Sequence, residues 1–169
     1  MVAVLGMLWC FSRVFVRGAA GRKRYNVLGA LDSHTHEVTT VTNDSYITAP
    51  TVCRLLEKLR KKHPSMPITL VMDNARYQKC KLVFAQAEKL DIDLLYLPAY
   101  SPNLNIIERL WKHVKQSCLK NTYHETFEQF TNAIDTEIEK VNTTMKKELA
   151  SLFALNFQIV DTRNQTRIL

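Results

Sequence analysis

The chain has 169 residues, 46% of them apolar, with four glycines and five prolines. That is one domain's length with enough apolar mass for a core, and it excludes disordered, collagen-like and linker-rich architectures. Lys and Arg number 23 against 16 Asp and Glu, a net charge of +7. The excess lies at the front: residues 1–120 carry a net +9 and residues 121–169 a net −2. A domain with one basic region suits a polyanion, nucleic acid first; the alternative is a solvated basic surface without a partner.

The cysteines at 10, 53, 80 and 118 are never closer than 27 residues, which leaves no CxxC and no zinc-ligand spacing. Cys53 and Cys118 fall on apolar helix faces and read as small core residues of a reduced, cytosolic protein. Residues 2–11 form a ten-residue apolar run. It is too short for the roughly 20 residues of a bilayer span and lacks the basic start of a signal peptide. It reads as a buried strand or hairpin.

Residues 18–21 (GAAG) make a turn between extended segments. Residues 25–31 (YNVLGAL) and 37–42 (EVTTVT), joined through Asp32 and Ser33, read as an antiparallel hairpin. Thr48 then caps a helix with Pro50 in its first turn and Val52, Leu55, Leu56 and Leu59 as its apolar stripe. Arg54, Lys58, Arg60, Lys61 and Lys62 crowd its other side and its C-terminal end, where cations suit the macrodipole. Pro64 and Pro67 stop it. Residues 68–72 (ITLVM) are continuously apolar, which predicts a strand buried on both faces.

A helix over 76–90 follows, with Leu82, Val83 and Ala87 inward, then a strand at 93–97 closed by Pro98. The loop 99–103 (AYSPN) leads into a helix with Leu104, Ile107, Trp111, Val114 and Cys118 on one stripe. A last helix turns Phe127, Phe130, Ile134, Ile138 and Val141 to one face. This order predicts an α/β sandwich: a mixed sheet flanked by helices, with the runs at 25–31, 68–72 and 93–97 central in one sheet. Residues 1–157 form the domain and 158–169 a polar C-terminal tail.

Two carboxylates draw attention. Asp73 ends a buried strand, and ligands of open α/β sheets gather outside the carboxyl ends of strands. Its plainer reading, shared with Asn74, is the N-cap of the next helix. Glu108 lies at the edge of the apolar stripe. Its plainer reading is an i,i+4 pair with Lys112; the sharper one is a metal ligand facing Asp73. Hard cations such as Mg²⁺ take carboxylate oxygens, and two of them can activate an attacking oxygen and stabilise a leaving one in phosphodiester chemistry.

The stretch 71–76 (VMDNAR), then 97–108 (LPAYSPNLNIIE), then Trp111 and Lys115, resembles the DDE transposases of bacterial insertion sequences in the Tc/mariner superfamily. Thirty-four residues separate Asp73 from Glu108, the spacing of that superfamily's second and third acidic residues. The resemblance covers roughly residues 8–157. It implies an RNase H-like fold, with the first strand incomplete or missing. It implies Asp73 and Glu108 as catalytic and metal-binding residues, with Mg²⁺ or Mn²⁺ as cofactor and two ions in an intact site. It also implies cleavage of DNA at the element end, followed by attack of the freed 3′-hydroxyl on target DNA.

Gln78 stands where the family often has a histidine, and Ile106 where it often has a proline. The family's first aspartate lies upstream of the segment matching 8–11, and no acidic residue precedes Asp32 here. Asp32, in the hairpin turn, is a weak substitute and Asp44 a weaker one. The family's N-terminal helix-turn-helix is also missing, so the chain is expected to be a C-terminal part, and a non-catalytic remnant is the alternative reading. The expected partner is DNA, held through Arg76, Lys79, Lys81, Tyr100, Lys112 and Lys115, with a possible homodimer, no membrane and no small-molecule substrate. The expected setting is the bacterial cytoplasm, in association with the nucleoid. For Trp111, core packing outweighs base stacking. No histidine is assigned to metal.

Overall fold

The computed structural model describes residues 23–98, 104–120 and 122–153. The first two strands, β1 (Asn26–Leu31) and β2 (Val38–Asn43), pair antiparallel, with Asn26 opposite Asn43 and Leu31 opposite Val38. Asp32 builds the turn between them. Its Oδ1 accepts from the amides of His34 (2.8 Å) and Thr35 (2.9 Å). Along β1 the side chains alternate as the pleat requires. Leu28 and Ala30 meet the first helix, while Val27 and Leu31 join the cluster on the opposite face.

That first helix, α1 (Ala49–Lys62), starts after Thr48, whose amide donates to Thr51 Oγ1 at 3.3 Å. Val52, Leu55, Leu56 and Leu59 are buried, as the stripe predicts. The helix serves two strand pairs at once. Leu55 and Leu59 pack with Ala30 and Val41, while Val52 and Leu56 pack with Met72 and Ile92.

β3 (Ile68–Met72), α2 (Lys81–Lys89) and β4 (Ile92–Tyr96) form a βαβ unit whose strands pair in parallel, Ile68 with Ile92 and Met72 with Tyr96. Four expectations need correction here. The helix predicted from residue 76 begins at Lys81; before it, the amides of Gln78 and Lys79 both donate to the Ala75 carbonyl in a tight turn. The polar side chains of Asp73 and Asn74 bond to distant segments and not along a helix, Asn74 Nδ2 donating to the Leu97 carbonyl and Asp73 Oδ1 accepting from Asn105. Leu82 is 52% exposed, because Val83 and Ala87 set the buried face and Leu82 lies about 100° round from Val83. Among the described residues the parallel pair is covered on one face only: Val71 is 44% and Leu95 55% exposed. Helices α1 and α2 cover the face of Leu70 and Met72. Among the described residues the strands form two pairs, β1–β2 and β3–β4, and not one continuous sheet.

The chain then forms α3 (Ile107–Val114), widens into a π-helical turn (Lys115–Leu119), continues as α4 (Phe127–Asn142) and reaches a 3-10 turn (Glu148–Ala150), the last element among the described residues. Helix α3 starts at Ile107, three residues past Leu104, the first residue of the expected stripe. Leu110, Val114, Ile134, Ile138 and Val141 bury themselves with Val38 in the second core cluster. Helices thus lie on both sides of the strands, as the element order predicts. Asn142 ties α4 to β2: its Oδ1 accepts from the Val38 amide at 2.7 Å and its Nδ2 donates to the Val38 carbonyl at 3.0 Å. Glu137 is only 6% exposed within this layer and is held by His113 Nε2 and Lys140 Nζ, each at 3.2 Å. Among the described residues no helix is long and apolar enough to cross a membrane.

Candidate active site

The carboxyl ends of parallel strands leave peptide groups without further ladder partners, and the loops beyond them supply the side chains that line a crevice. Here the Leu97 amide closes on the Met72 carbonyl at 2.9 Å, so the β3–β4 pairing runs one step past β4 before Asp73 leaves the strand. Asp73 is half-buried at that end. Asn105, just before α3, donates from Nδ2 to Asp73 Oδ1 at 3.1 Å. This bond links the end of β3 to the start of α3, whose first turn carries Glu108. Asp73 and Glu108 line one cavity of about 300 Å³, together with Tyr77, Gln78, Asn105 and Trp111.

Both plainer readings of the carboxylates fail on geometry. Helix α2 is capped by Cys80, so Asp73 caps no helix. Among the described residues Glu108 has no ion pair within 4.0 Å, so the i,i+4 bridge to Lys112 is not made. An exposed carboxylate without an ion pair among the described residues, on one cavity with a second carboxylate, is a poor stability device and a suitable oxygen donor for a hard cation.

Asp32 does not line this cavity. Partial burial pushes its carboxyl up, but hydrogen bonds from the Thr35 and His34 amides and from the Thr35 hydroxyl outweigh that and lower it. Its oxygens serve the hairpin turn. Tyr77 has a hydroxyl pushed up by burial first and then by the charge of Asp73, against a hydrogen bond with Gln78. At neutral pH it stays a protonated donor on the cavity wall. Trp111 packs as expected: a Cβ at Gly29 would stand 2.9 Å from Trp111 Cη2, so the indole lies flush against β1.

The basic residues divide into groups. Arg76, Lys79 and Lys81 are exposed around the turn after Asp73, with Lys79 Nζ 5.3 Å from the centre of the Tyr96 ring. Lys112 and Lys115 line a second cavity, of about 210 Å³, with Glu108, Trp111, Gln116 and Lys120. Glu108 and Trp111 belong to both cavities. Lys120, extended just after the π-helical turn, escaped the sequence reading. Asn105 escaped it as well, although it stands inside the LPAYSPNLN stretch. Tyr100 and the loop 99–103 lie outside the described residues, as do residues 2–11, the turn at 18–21 and the polar tail.

Residues 13–131 match the family model described as DDE superfamily endonuclease, which is more than half of the chain. The chain belongs to the DDE superfamily endonucleases. Solved structures agree on the fold. The Mos1 mariner paired-end complex with Mn matches at a TM-score of 0.63 and 16% identity, covering 92% of this chain and 53% of that one. A pre-cleavage Mos1 transpososome matches at 0.59 and 16% identity, covering 92% and 54%. The Mos1 paired-end complex with left transposon end matches at 0.58 and 16% identity, covering 89% and 52%. The chain therefore spans about half the length of the Mos1 chains it resembles. No curated protein sequence is significantly similar to it. The mixed α/β fold expected from the motifs, small sheets flanked by helices, is the fold observed and matches these structures.

Proposed function

We propose that this chain carries the catalytic part of a DDE transposase, acting on DNA phosphodiesters in transposition of an insertion sequence. The observation that carries the reading is the meeting of Asp73 and Glu108 on one cavity, with Asn105 holding Asp73 in place. The donor set fits a divalent cation: two hard carboxylates at the cavity, and an amide oxygen of Gln78 that is buried without a partner among the described residues. Asp73 and Glu108 would hold Mg²⁺ or Mn²⁺. A bound cation of this kind supplies charge stabilisation to the phosphodiester and lowers the pKa of an attacking water.

The chain's own residues do the rest. Asn105 fixes the rotamer of Asp73, and Tyr77 offers a neutral hydroxyl as a hydrogen-bond donor. Arg76, Lys79 and Lys81 on one side, and Lys112 and Lys115 on the other, supply cations for the DNA backbone, which fix register without reading sequence. That Mos1 structures were solved on transposon ends supports DNA as the partner.

A second reading, DNA binding without cutting, is favoured by one observation. Among the described residues no group of three or more His, Cys, Asp or Glu can hold a metal ion. One experiment separates the two: a nicking assay on DNA carrying the element's ends, with Mg²⁺ or Mn²⁺. Cleavage that is lost in both Asp73→Asn and Glu108→Gln establishes the enzyme. Salt-sensitive DNA binding without cleavage establishes the binding module.

A further inference from the structure

The amide oxygen of Gln78 is the buried side-chain acceptor that finds no hydrogen-bond partner among the described residues. Buried acceptors left without donors are rare in folded proteins, because each loses its hydration and gains nothing in return. Gln78 is otherwise firmly placed. Its amide donates to the Ala75 carbonyl at 2.9 Å, and its carbonyl accepts from the Tyr96 hydroxyl at 2.9 Å. It stands on the turn that follows Asp73, and it lines the cavity that Asp73 and Glu108 share.

We propose that Gln78 supplies a third oxygen to that site, its amide carbonyl adding to the carboxylates of Asp73 and Glu108 in holding a divalent cation. The inference rests on the catalytic reading given above. Amide carbonyls are accepted ligands of hard cations, alongside carboxylates and water. The residue type matters. A histidine at this position would bring a nitrogen donor better suited to zinc or copper than to magnesium or manganese. Glutamine brings a neutral hard oxygen on a two-methylene arm.

The test is Mn²⁺ binding by the full chain, read as free Mn²⁺ by electron paramagnetic resonance, with no DNA and no turnover. Gln78→Leu keeps the volume and removes the oxygen. It is expected to weaken Mn²⁺ binding about tenfold, in line with the loss of a metal-site partner. Its metal-free melting temperature should stay level or rise by a few degrees, because the partnerless acceptor has gone. Gln78→Glu is expected to tighten Mn²⁺ binding, and a gain of affinity cannot come from misfolding. If Gln78→Leu and Gln78→Glu both bind as the parent does while Asp73→Asn binds more weakly, the Gln78 inference is wrong and the carboxylate site stands. If Asp73→Asn and Glu108→Gln also bind as the parent does, the carboxylate site is wrong and Gln78 falls with it.

Discussion

Gly29 is the place where one methyl group tests the packing under the candidate site. A Cβ there would stand 2.9 Å from Trp111 Cη2, 3.0 Å from Trp111 Cζ2 and 3.3 Å from Ile107 Cδ1. Both neighbours belong to α3, so Gly29→Ala drives a wedge between β1 and the helix that carries Glu108. Two effects compete. Removing a glycine from a strand restricts the unfolded chain and stabilises by about 0.4–1 kcal/mol. Overpacking a well-filled contact costs about 1–3 kcal/mol. The clash is with a large, rigid indole, so the second effect wins, and the net is a loss of about 1–2 kcal/mol. For a domain of this size that lowers the melting temperature by about 2–8 °C. Thermal unfolding followed by circular dichroism reads it. The clashing atoms belong to the outer ring of the indole, so Trp111→Phe should make Gly29→Ala less costly, a coupling visible in a double-mutant cycle. If Gly29→Ala is neutral or stabilising beside an intact Trp111, the indole does not lie against β1 and the placement of α3 is wrong.

Three further outcomes follow from the same structure. Arg60 donates from Nε to the Leu90 carbonyl at 2.7 Å, from Nη1 to those of His63 and Met66 at 3.0 and 2.8 Å, and from Nη2 to that of Asp91. Arg60→Ala strands these carbonyls and should cost about 2–3 kcal/mol in a urea titration, where Arg54→Ala costs almost nothing. The Tyr25 hydroxyl, donating to Asp135 at 2.6 and 2.7 Å, is pushed up to about 12 by burial first and then by the hydrogen bond and charge of Asp135. Above its ordinary value of 10.0 the unfolded chain loses this proton before the folded one does, so the contribution is whole below pH 10 and drains away as pH rises through about 12. Tyr25→Phe should flatten stability across that window. Changing Lys112, Lys115 and Lys120 together to Ala should reduce the slope of log DNA affinity against log salt by about 2–3, with Mg²⁺ absent, while Asp73→Asn leaves the slope alone.

Much of this was legible from residue pattern. The hairpin at 25–42, the stripe of α1 and the strand at 68–72 all follow from periodicity, and each is found within a residue or two. Asp73 and Glu108 stood out because strand-end and stripe-edge positions are informative. What periodicity does not carry is which neighbour arrives. ITLVM is apolar throughout, yet half of it faces outward, because α1 and α2 lie on one side only. Arg60 looks like one of a solvated basic set, yet it collects carbonyls from the segment leading into β3 and from the turn before β4. Glu137 sits in an otherwise apolar helix stripe, and nothing local marks it as the buried partner of His113. The start of α2 was misplaced because polar residues at 73–79 carry a turn that no hydrophobic period registers.

The division of the strands into two pairs bears on how the site keeps its shape. Asp73 belongs to the β3–β4 pair, whereas Glu108 rides on a helix that packs against the β1–β2 pair. No backbone ladder among the described residues spans the gap between them. Helix α1 does, laying Leu55 and Leu59 on one pair and Val52 and Leu56 on the other like a splint across two boards. The spacing of the two carboxylates therefore depends on this helix as well as on the Asn105–Asp73 hydrogen bond. If Asp73 and Glu108 hold a cation as proposed, trimming Leu56 should loosen its binding at a distance, with both carboxylates still in the chain.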